Sequence, residues 1–143
     1  MSHADVGEPS AVVDRAYELI GFAAGGEPDW QRFRELFTEP CVLALRVFPD
    51  DAAVTVMDMS SYIHHQMQHG LGEEGYSETP GARTIDVIGD IAIVRQHFAM
   101  NFADAVSVRA LDIFGLCRRQ NEWRIVSILS ETNTHDNAAA RTP

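Results

Sequence analysis

The front half of the chain carries apolar residues at helical spacing, whereas the back half has the composition of strands. Apolar positions recur every three or four residues in three segments, which predicts three helices. Ser10 suits the N-cap of the first helix, Gly25-Gly26 its end, and Ser60 or Ser61 the N-cap of the third. The segment "CVLALRVF" predicts a strand before the third helix. The three helical segments are "SAVVDRAYELIGFAA", "EPDWQRFRELF" and "MSSYIHHQMQHGL".

The back half contains four segments rich in β-branched and aromatic residues, as strands are. They are separated by short polar gaps at Gly89-Asp90, Asp104-Ala105 and Gln120-Asn121, which predicts consecutive antiparallel hairpins. Helices followed by a meander indicate an α+β fold, with the helices packed on one face of a curved sheet. The four segments are "ARTIDVI", "IAIVRQHFAMNF", "VSVRALDIFGLCR" and "WRIVSILSE".

The length of 143 residues favours a single domain. We expect this domain to span residues 9–134, because both ends of the chain are polar or rich in small residues. Residues 1–8 are predicted to be a disordered N-terminus, and residues 135–143 a C-terminal tail.

Charge and cysteine content narrow the possible partners. The net charge of -10 argues against nucleic acid and against an anionic membrane surface, since both require clustered Lys and Arg. Cys41 and Cys117 are too few for a disulfide framework and are interpreted as reduced thiols. The N-terminus does not resemble a signal peptide, and no apolar stretch approaches the ~20 residues of a membrane span. We therefore expect a cytoplasmic protein.

One carboxylate, Asp112, stands among apolar residues in the strand "ALDIFGL". If the turn at Asp104-Ala105 is centred between those residues, His97 lies directly opposite Asp112 on one face of the sheet. If the next turn is centred on Gln120-Asn121, Leu129 lies opposite Asp112 on its other side, whereas an odd-length turn would shift the register. The predicted face mixes polar and apolar groups, as ligand pockets do. Its members are His97, Asp112, Ser127, Leu129 and Ile125, with Arg95 and Asn101.

This predicted pair has three possible roles. A desolvated Asp beside a His can act as a general base, or, when protonated, can stabilise an enolate by donating a hydrogen bond. Alternatively, Asp112 and His97 form a structural pair, or Asp112 faces solvent on the outer side of the sheet.

The chain resembles the nuclear transport factor 2-like (NTF2-like) superfamily, which includes SnoaL-like cyclases and ketosteroid isomerase-like proteins. The resemblance is carried by "AVVDRAYELIGFAAGGEPDWQRFRELFTEPCVL" and "VRALDIFGLCRRQNEWRIVSILSETN". It implies a cone-shaped α+β barrel, the cystatin-like α+β roll, in which three N-terminal helices pack on a curved antiparallel sheet around a cavity. Members of this superfamily are often dimeric.

The resemblance also implies roles for individual residues. Asp112 falls where isomerase-like members carry an acidic hydrogen-bond donor and where cyclase-like members carry their acid/base Asp. His97 falls near a pocket His of cyclase-like members, and Tyr17 lies one residue from the position of the helix Tyr of the isomerases. The isomerase base corresponds to about Leu45, which is not acidic. A true steroid isomerase is therefore not expected.

Other motifs predict less. The acids of "GEEGYSE" are interpreted as part of a solvated loop. His65 and His69 could share a helix face, but no third ligand stands at a recognisable spacing, so no metal site is predicted. His64 could point into the cavity, because this helix lines the cone in the superfamily. Arg95 suits a pocket cation and an outer-face ion pair equally. The chain lacks a Gly-rich phosphate loop, a dinucleotide fingerprint and a nucleophile elbow, and no cofactor is predicted.

The residues alternating with His97 are large and apolar, namely Val94, Phe98, Met100 and Phe102. If they form the outer face of the sheet, they need covering, which predicts a homodimer through the sheet. If they fill the core instead, His97 and Asp112 face outward.

Together these observations predict a SnoaL-like protein that binds a small apolar or carbonyl-bearing molecule. The chemistry would be cofactor-free proton transfer of an isomerase, cyclase or dehydratase type. Asp112 would be the acid/base and His97 its partner, while the pocket would include Tyr17, Arg95, Ser127, Leu129 and His64. The alternative is a non-catalytic ligand-binding or dimerisation module of the same fold, which the missing acid at Leu45 favours.

Overall fold

The computed structural model describes residues 7–68, 70–103 and 107–132. Two helices and a strand precede a small strand and two further helices, and a four-stranded meander follows. The helices are α1 (Gly7–Ile20), α2 (Trp30–Glu35), α3 (Met59–Gln66) and α4 (Leu71–Glu74). The strands are β1 (Phe37–Leu45), β2 (Thr55–Met57), β3 (Tyr76–Ile88), β4 (Ile91–Phe102), β5 (Val108–Arg119) and β6 (Glu122–Thr132).

All the strands join one six-stranded sheet in the order β2-β1-β6-β5-β4-β3. Strands β3 to β6 form the predicted antiparallel meander. The sheet is not antiparallel throughout, because β1 pairs with β6 in parallel. The chain crosses over through β2, α3 and α4 between β1 and the meander, and this crossover allows the parallel pair. The predicted α+β fold with a curved sheet is confirmed.

Helix α1 presents its apolar stripe to the sheet, with Val13, Tyr17 and Ile20 buried. It begins at Gly7, so the predicted start at Ser10 is wrong, and the Ser10 hydroxyl accepts a hydrogen bond from Arg83. The helix also ends earlier than the predicted glycine pair, at Ile20. The reason is that Phe22 forms a β-bridge with Tyr76, which draws the chain onto the edge of the sheet.

Helix α3 is capped by Asp58, whose carboxylate accepts a hydrogen bond from the backbone N–H of Ser61 at 2.8 Å. The predicted caps, Ser60 and Ser61, lie inside the helix. Its buried face carries Tyr62 and Gln66, which brings one polar side chain into the interior.

The buried face of β4 carries the large apolar residues predicted for its outer face. Val94, Phe98 and Met100 are buried, whereas Arg95 and His97 are exposed. The predicted outer placement of Val94, Phe98, Met100 and Phe102 is therefore wrong for the three buried residues, while Phe102 is half-buried against Tyr76.

The β4–β5 register is displaced by one residue from the prediction. Asp112 pairs with Gln96, and His97 pairs with Leu111. An odd number of residues lies between the paired Met100 and Val108, whereas the prediction assumed an even number. A shift of one residue exchanges the two faces of a strand, so His97 faces outward while Asp112 stays inside.

A bulge in β6 changes the second predicted pairing. Gly115 pairs with Ser127 and the next residue, Leu116, pairs with Ile125, so Val126 is the extra residue in β6. Asp112 consequently lies opposite Ser130 rather than Leu129. Ile125 is buried, as predicted.

The predicted terminal segments fall largely outside the described residues. Residues 1–6 and 135–143 are not among them, and Gly7 and Glu8 belong to α1 rather than to a disordered segment. Among the described residues, no helix has the length and apolar character needed to cross a membrane.

Candidate functional site

A cavity lies between the helices and the inner face of the sheet. Its volume is about 50 Å³, so it is narrow but has room for more than one water molecule. Most of its wall is apolar or aromatic, with a few polar groups placed among these side chains, as is typical of ligand sites. The aromatic side chains of the wall are Tyr17, Phe33, Tyr62, Tyr76, Phe98 and Phe114.

Asp112 lines this cavity and is only 7% exposed. Its carboxylate accepts a hydrogen bond from the Tyr17 hydroxyl at 2.7 Å and another from the side chain of Ser130. Burial raises the pKa of Asp112 to about 6, although the hydrogen bonds from Ser130 and Tyr17 act in the opposite direction. A carboxyl group with such a pKa exchanges protons near neutral pH, which suits acid–base chemistry.

A second carboxyl group, that of Glu78, lines the same cavity from β3. It accepts a short hydrogen bond from the Tyr76 hydroxyl. Its pKa is raised to about 8, first by burial and then by the charge of Asp112, against the lowering effect of Tyr76. Each acid is therefore paired with a tyrosine, and each disfavours ionisation of the other.

Glu78 was missed by sequence reasoning, which interpreted the acids of "GEEGYSE" as a solvated loop. That interpretation is wrong for Glu78, because β3 begins at Tyr76. A signal was present, since Tyr76 and Glu78 are two residues apart and so share one face of a strand. The Gly75 that precedes them has a φ of 82°, a conformation that marks a turn and not an extended loop.

Two further polar groups of the wall make no hydrogen bond to any described residue. Gln66 is 4% exposed, and its side-chain amide on α3 lines the cavity without a partner in the described part of the chain. The Thr132 hydroxyl at the end of β6 is buried and likewise unpaired. Buried polar groups are nearly always hydrogen-bonded, and a molecule in the cavity can supply a partner for both groups.

The wall also contains an ion pair between Arg46 and Glu131. The Arg46 Nε donates to a carboxylate oxygen of Glu131 at 3.0 Å, and its Nη1 donates to the backbone carbonyl of Asp51, also at 3.0 Å. This guanidinium is thereby anchored to β6 and to the loop that follows β1.

The structure brings together two of the predicted site residues, Asp112 and Tyr17. The predicted neighbour of Asp112, His97, is on the opposite face of the sheet, for the register reason given above. The remaining predicted pocket residues do not line the cavity. Arg95, Leu129 and His64 are exposed and Ser127 is half-buried on the outer side of the sheet.

His64 and His65 are both exposed on α3, which turns Tyr62 and Gln66 inward instead. His69, which together with His65 was considered as a possible metal ligand, lies outside the described residues.

Gln96 takes the place predicted for His97 opposite Asp112, but its role is structural. Its side chain is fully buried and donates to the backbone carbonyls of Gly81, Ala82 and His97 at 2.9–3.2 Å. Its carbonyl oxygen accepts a short hydrogen bond from Arg83. These bonds satisfy backbone groups at the irregularity in β3 between Pro80 and Arg83.

Comparisons with known proteins agree with this architecture. An NTF2-like protein with a cystatin-like fold from Novosphingobium aromaticivorans matches with a TM-score of 0.74 and 21% identity, covering 95% of this chain and 86% of that one. A protein from Streptomyces avermitilis, described as a putative dehydratase from the NTF2-like family, matches with a TM-score of 0.65 and 14% identity, covering 89% and 95%. A protein of unknown function with a cystatin-like fold from Nostoc punctiforme has a TM-score of 0.69 at 10% identity, covering 92% and 93%.

At these identities the solved structures are evidence for the fold alone. No functionally curated protein matches the chain. One protein family, described as "Putative lumazine-binding", matches residues 22–129. That range extends from the end of α1 through most of the meander, so it includes Glu78 and Asp112 but not Tyr17. The chain therefore belongs to this family, and its fold is shared with solved structures described as NTF2-like with a cystatin-like fold.

Proposed function

We propose that the protein binds a small, mostly apolar molecule in the cavity and that Asp112 transfers a proton to or from it. The observation that carries this proposal is the position of Asp112, a buried carboxyl group on the wall of an aromatic cavity. An isomerase, cyclase or dehydratase would each need such a group beside a carbonyl-bearing substrate.

The hydrogen bonds of Asp112 support a role in proton transfer. An ionised carboxylate offers about four lone-pair sites, and Tyr17 and Ser130 occupy two of them. The others remain for a ligand proton. Tyr17 acts as a positioning residue, since its ring packs between Phe98 and Phe114 at centroid distances of 5.5 and 5.9 Å and so fixes its hydroxyl.

Exchange of α-hydrogens for deuterium in a small ketone tests the chemistry without knowledge of the substrate. Cyclohexanone in D2O, followed by NMR, should exchange at least tenfold faster with the wild-type protein than with the Asp112→Asn variant. Asp86→Asn is the matched control, because Asp86 is an exposed acid on β3. Equal rates for the wild type and Asp112→Asn would overturn the catalytic part of the proposal.

The family description suggests lumazine as the first ligand to test. Its ring N–H groups can donate to carboxylates, and its flat ring suits an aromatic wall. The cavity of about 50 Å³ is smaller than the ~150 Å³ that holds benzene, so its walls must move apart to admit this ligand. Isothermal titration with lumazine should give saturable binding that the Tyr62→Ala variant weakens, because Tyr62 lines the cavity. Failure of both lumazine and a panel of small ketones to stabilise the protein against heat would contradict binding in this cavity.

A non-catalytic binding module is the second candidate. Leu45, the residue at the position resembling the isomerase base, lines the cavity and supplies no carboxylate there. Saturable binding of lumazine or a ketone without Asp112-dependent exchange would favour this candidate.

We further propose that the outer face of the sheet forms a homodimer. One row of paired residues on this face crosses β1, β6, β5 and β4. The small residues Ser127 and Gly115 lie in the middle of the row, and the exposed apolar residues Val42 and Ile93 lie at its two ends. Leu129 is 52% exposed in the adjacent row. Exposed apolar side chains grouped in this way are typical of interaction sites.

Light scattering coupled to size-exclusion chromatography tests the dimer. Leu129→Lys should convert a dimer to a monomer, whereas Val54→Lys should not, because Val54 is exposed in the loop before β2. A monomeric wild-type protein at ~100 μM would overturn the dimer proposal.

A further inference from the structure

We infer that the cavity selects a small aromatic or apolar molecule carrying one positive charge, held between Asp112 and Glu78 and oriented by Gln66. This inference rests on the proposed binding function and adds the charge of the ligand to it. It also assigns binding roles to Glu78 and Gln66, neither of which the proton-transfer proposal uses.

The acids come from different strands and converge on one enclosed space. Asp112 lies on β5 and Glu78 on β3, and both line the cavity. Each carboxyl group already accepts a hydrogen bond from a tyrosine that also belongs to the wall, Tyr17 for Asp112 and Tyr76 for Glu78. Tyrosine hydroxyls donate without bringing a charge, so they orient the acids but do not neutralise them.

The positive charge in the cavity wall is already neutralised by protein groups other than Asp112 and Glu78. Among the described residues that line the cavity, Arg46 is the one cation, and its guanidinium is bound to Glu131 and to the carbonyl of Asp51. No ion pair within the described ranges involves Asp112 or Glu78. A buried carboxylate without a counter-ion is costly, and a cationic ligand would remove that cost.

The rest of the wall suits a cation as well as an aromatic ring. Tyr17 contacts Phe98 and Phe114, and Tyr62 stacks on Phe33 with a centroid distance of 6.3 Å and an interplanar angle of 25°. The faces of aromatic rings carry negative potential, and cation–π contacts strengthen when the cation is desolvated, as it would be in this cavity.

Independent support comes from the unpaired polar groups. The Thr132 hydroxyl is buried without a partner in the described part of the chain, and the amide of Gln66, a residue only 4% exposed, lines the same cavity. The Gln66 carbonyl oxygen can accept from an ammonium or ring N–H group, and so can the Thr132 hydroxyl oxygen. A protonated amine has three donors, which is more than the two acids alone would occupy.

The state of the acids at neutral pH sets the expected charge of the ligand. With pKa values raised to about 6 for Asp112 and about 8 for Glu78, the pair carries about one negative charge at pH 7. A single positive charge balances it. An anionic ligand would meet repulsion from Asp112 and a dication would exceed the available charge.

A series of ligands that share one ring and differ in charge tests the inference. Benzylamine, benzyl alcohol and benzoate are titrated against the wild-type protein by calorimetry at pH 7. Benzylamine should bind at least tenfold more tightly than benzyl alcohol, and benzoate should show no binding. Asp112→Asn should reduce benzylamine affinity at least tenfold while changing benzyl alcohol affinity by less than about twofold, because Asp112 carries the charge of the pair at pH 7. Glu78→Gln removes a mostly neutral carboxyl group and should reduce benzylamine affinity by a smaller factor. Glu74→Gln, which changes an exposed acid on α4, is the control and should change neither affinity.

Gln66→Leu provides a second test that keeps the volume of the side chain and both acids. It should weaken benzylamine binding at least fivefold, because the ammonium then loses an acceptor. If benzyl alcohol binds as tightly as benzylamine, the charge selectivity is overturned while small-molecule binding survives. If no ligand of the series binds although lumazine or a ketone does, the inference is likewise overturned and the proposed function is not.

Discussion

Tyr17 and Asp112 are separated by 95 residues of sequence, and the tyrosine hydroxyl donates to the Asp112 carboxylate at 2.7 Å. This contact joins the buried face of α1 to the inner face of β5 at the wall of the cavity. The same hydrogen bond fixes the helix and opposes the increase in the pKa of Asp112 that burial causes. It therefore connects the stability of the fold with the chemistry of the site.

Replacing Tyr17 with Phe should destabilise the protein by about 1.5–3 kcal/mol at pH 8, because a hydrogen bond to a charged group is lost. At pH 5 Asp112 is mostly protonated, since its pKa is raised to about 6, and the loss should fall to about 0.5–1.5 kcal/mol. Urea unfolding at the two pH values measures the difference. Loss of this hydrogen bond raises the pKa of Asp112 further and disfavours the ionised carboxylate. The destabilisation is therefore larger at pH 8, where the carboxylate is ionised, than at pH 5.

Tyr62→Phe is the matched control for this prediction. Tyr62 is also a buried tyrosine of the cavity wall, but its hydroxyl bonds to none of the described residues. Its replacement should cost less than about 0.5 kcal/mol at either pH. A pH-independent loss for Tyr17→Phe would show that packing and not the hydrogen bond accounts for the effect.

The free energy of unfolding should fall as the pH rises from about 4 to about 8. Asp112 and Glu78 have ordinary pKa values of 3.8 and 4.5, and in the folded protein these are raised to about 6 and about 8. The folded state then binds more protons than the unfolded state within this window, so stability is lost with increasing pH. The buried tyrosines of the wall, Tyr17, Tyr62 and Tyr76, have raised pKa values and stay neutral throughout this window.

Chemical denaturation at intervals of one pH unit checks this slope. Glu78→Gln should flatten the curve between about pH 4.5 and 8, and Asp112→Asn only its lower part, between about pH 4 and 6, so above pH 6 the slope depends on Glu78 alone. A wild-type protein that gains stability from pH 5 to pH 8, with both variants parallel to it, would contradict the burial of the two acids.

Much of the fold could be predicted from the sequence because the relevant signals are local. The helical spacing of Val13, Tyr17 and Ile20 defines the buried face of α1, and the polar pairs at Gly89-Asp90 and Gln120-Asn121 coincide with two of the hairpin turns. The parallel pairing of β1 with β6 was not predicted, since nothing local in either strand specifies a partner so distant in sequence.

The site was predicted only in part because strand register depends on single residues. Asp112 was correctly expected at a cavity, but one residue of difference in the β4–β5 register replaced His97 with Gln96 as its cross-strand neighbour. The bulge at Val126 displaced Leu129 in the same way. Neither the length of a turn nor the presence of a bulge has a strong signature in these segments.

Variants of adjacent residues on β4 test the register directly. His97→Ala should change stability by less than about 0.5 kcal/mol and leave ligand affinity unchanged, because the side chain is exposed on the outer face. Gln96→Leu should cost about 2–4 kcal/mol, because three backbone carbonyls lose a buried donor. Thermal and urea unfolding of the two variants measure the contrast. A larger loss of stability for His97→Ala than for Gln96→Leu would favour the register predicted from the sequence.

The contact between Arg83 and Gln96 should show strong energetic coupling. The Arg83 guanidinium donates to the Gln96 carbonyl oxygen and also to the Ser10 hydroxyl and the Asp14 carboxylate, so it ties α1 to β3. Arg83→Met leaves the buried Gln96 oxygen without its donor, while the Gln96→Leu variant leaves the guanidinium without its most buried acceptor. A double-mutant cycle should therefore give a coupling energy of about 0.5–3 kcal/mol. Asp14 is 56% exposed, so the cycle of Arg83→Met with Asp14→Asn should give less than about 1 kcal/mol. Equal coupling in both cycles would mean that the exposed ion pair with Asp14 contributes as much as the buried contact with Gln96, which would contradict this prediction.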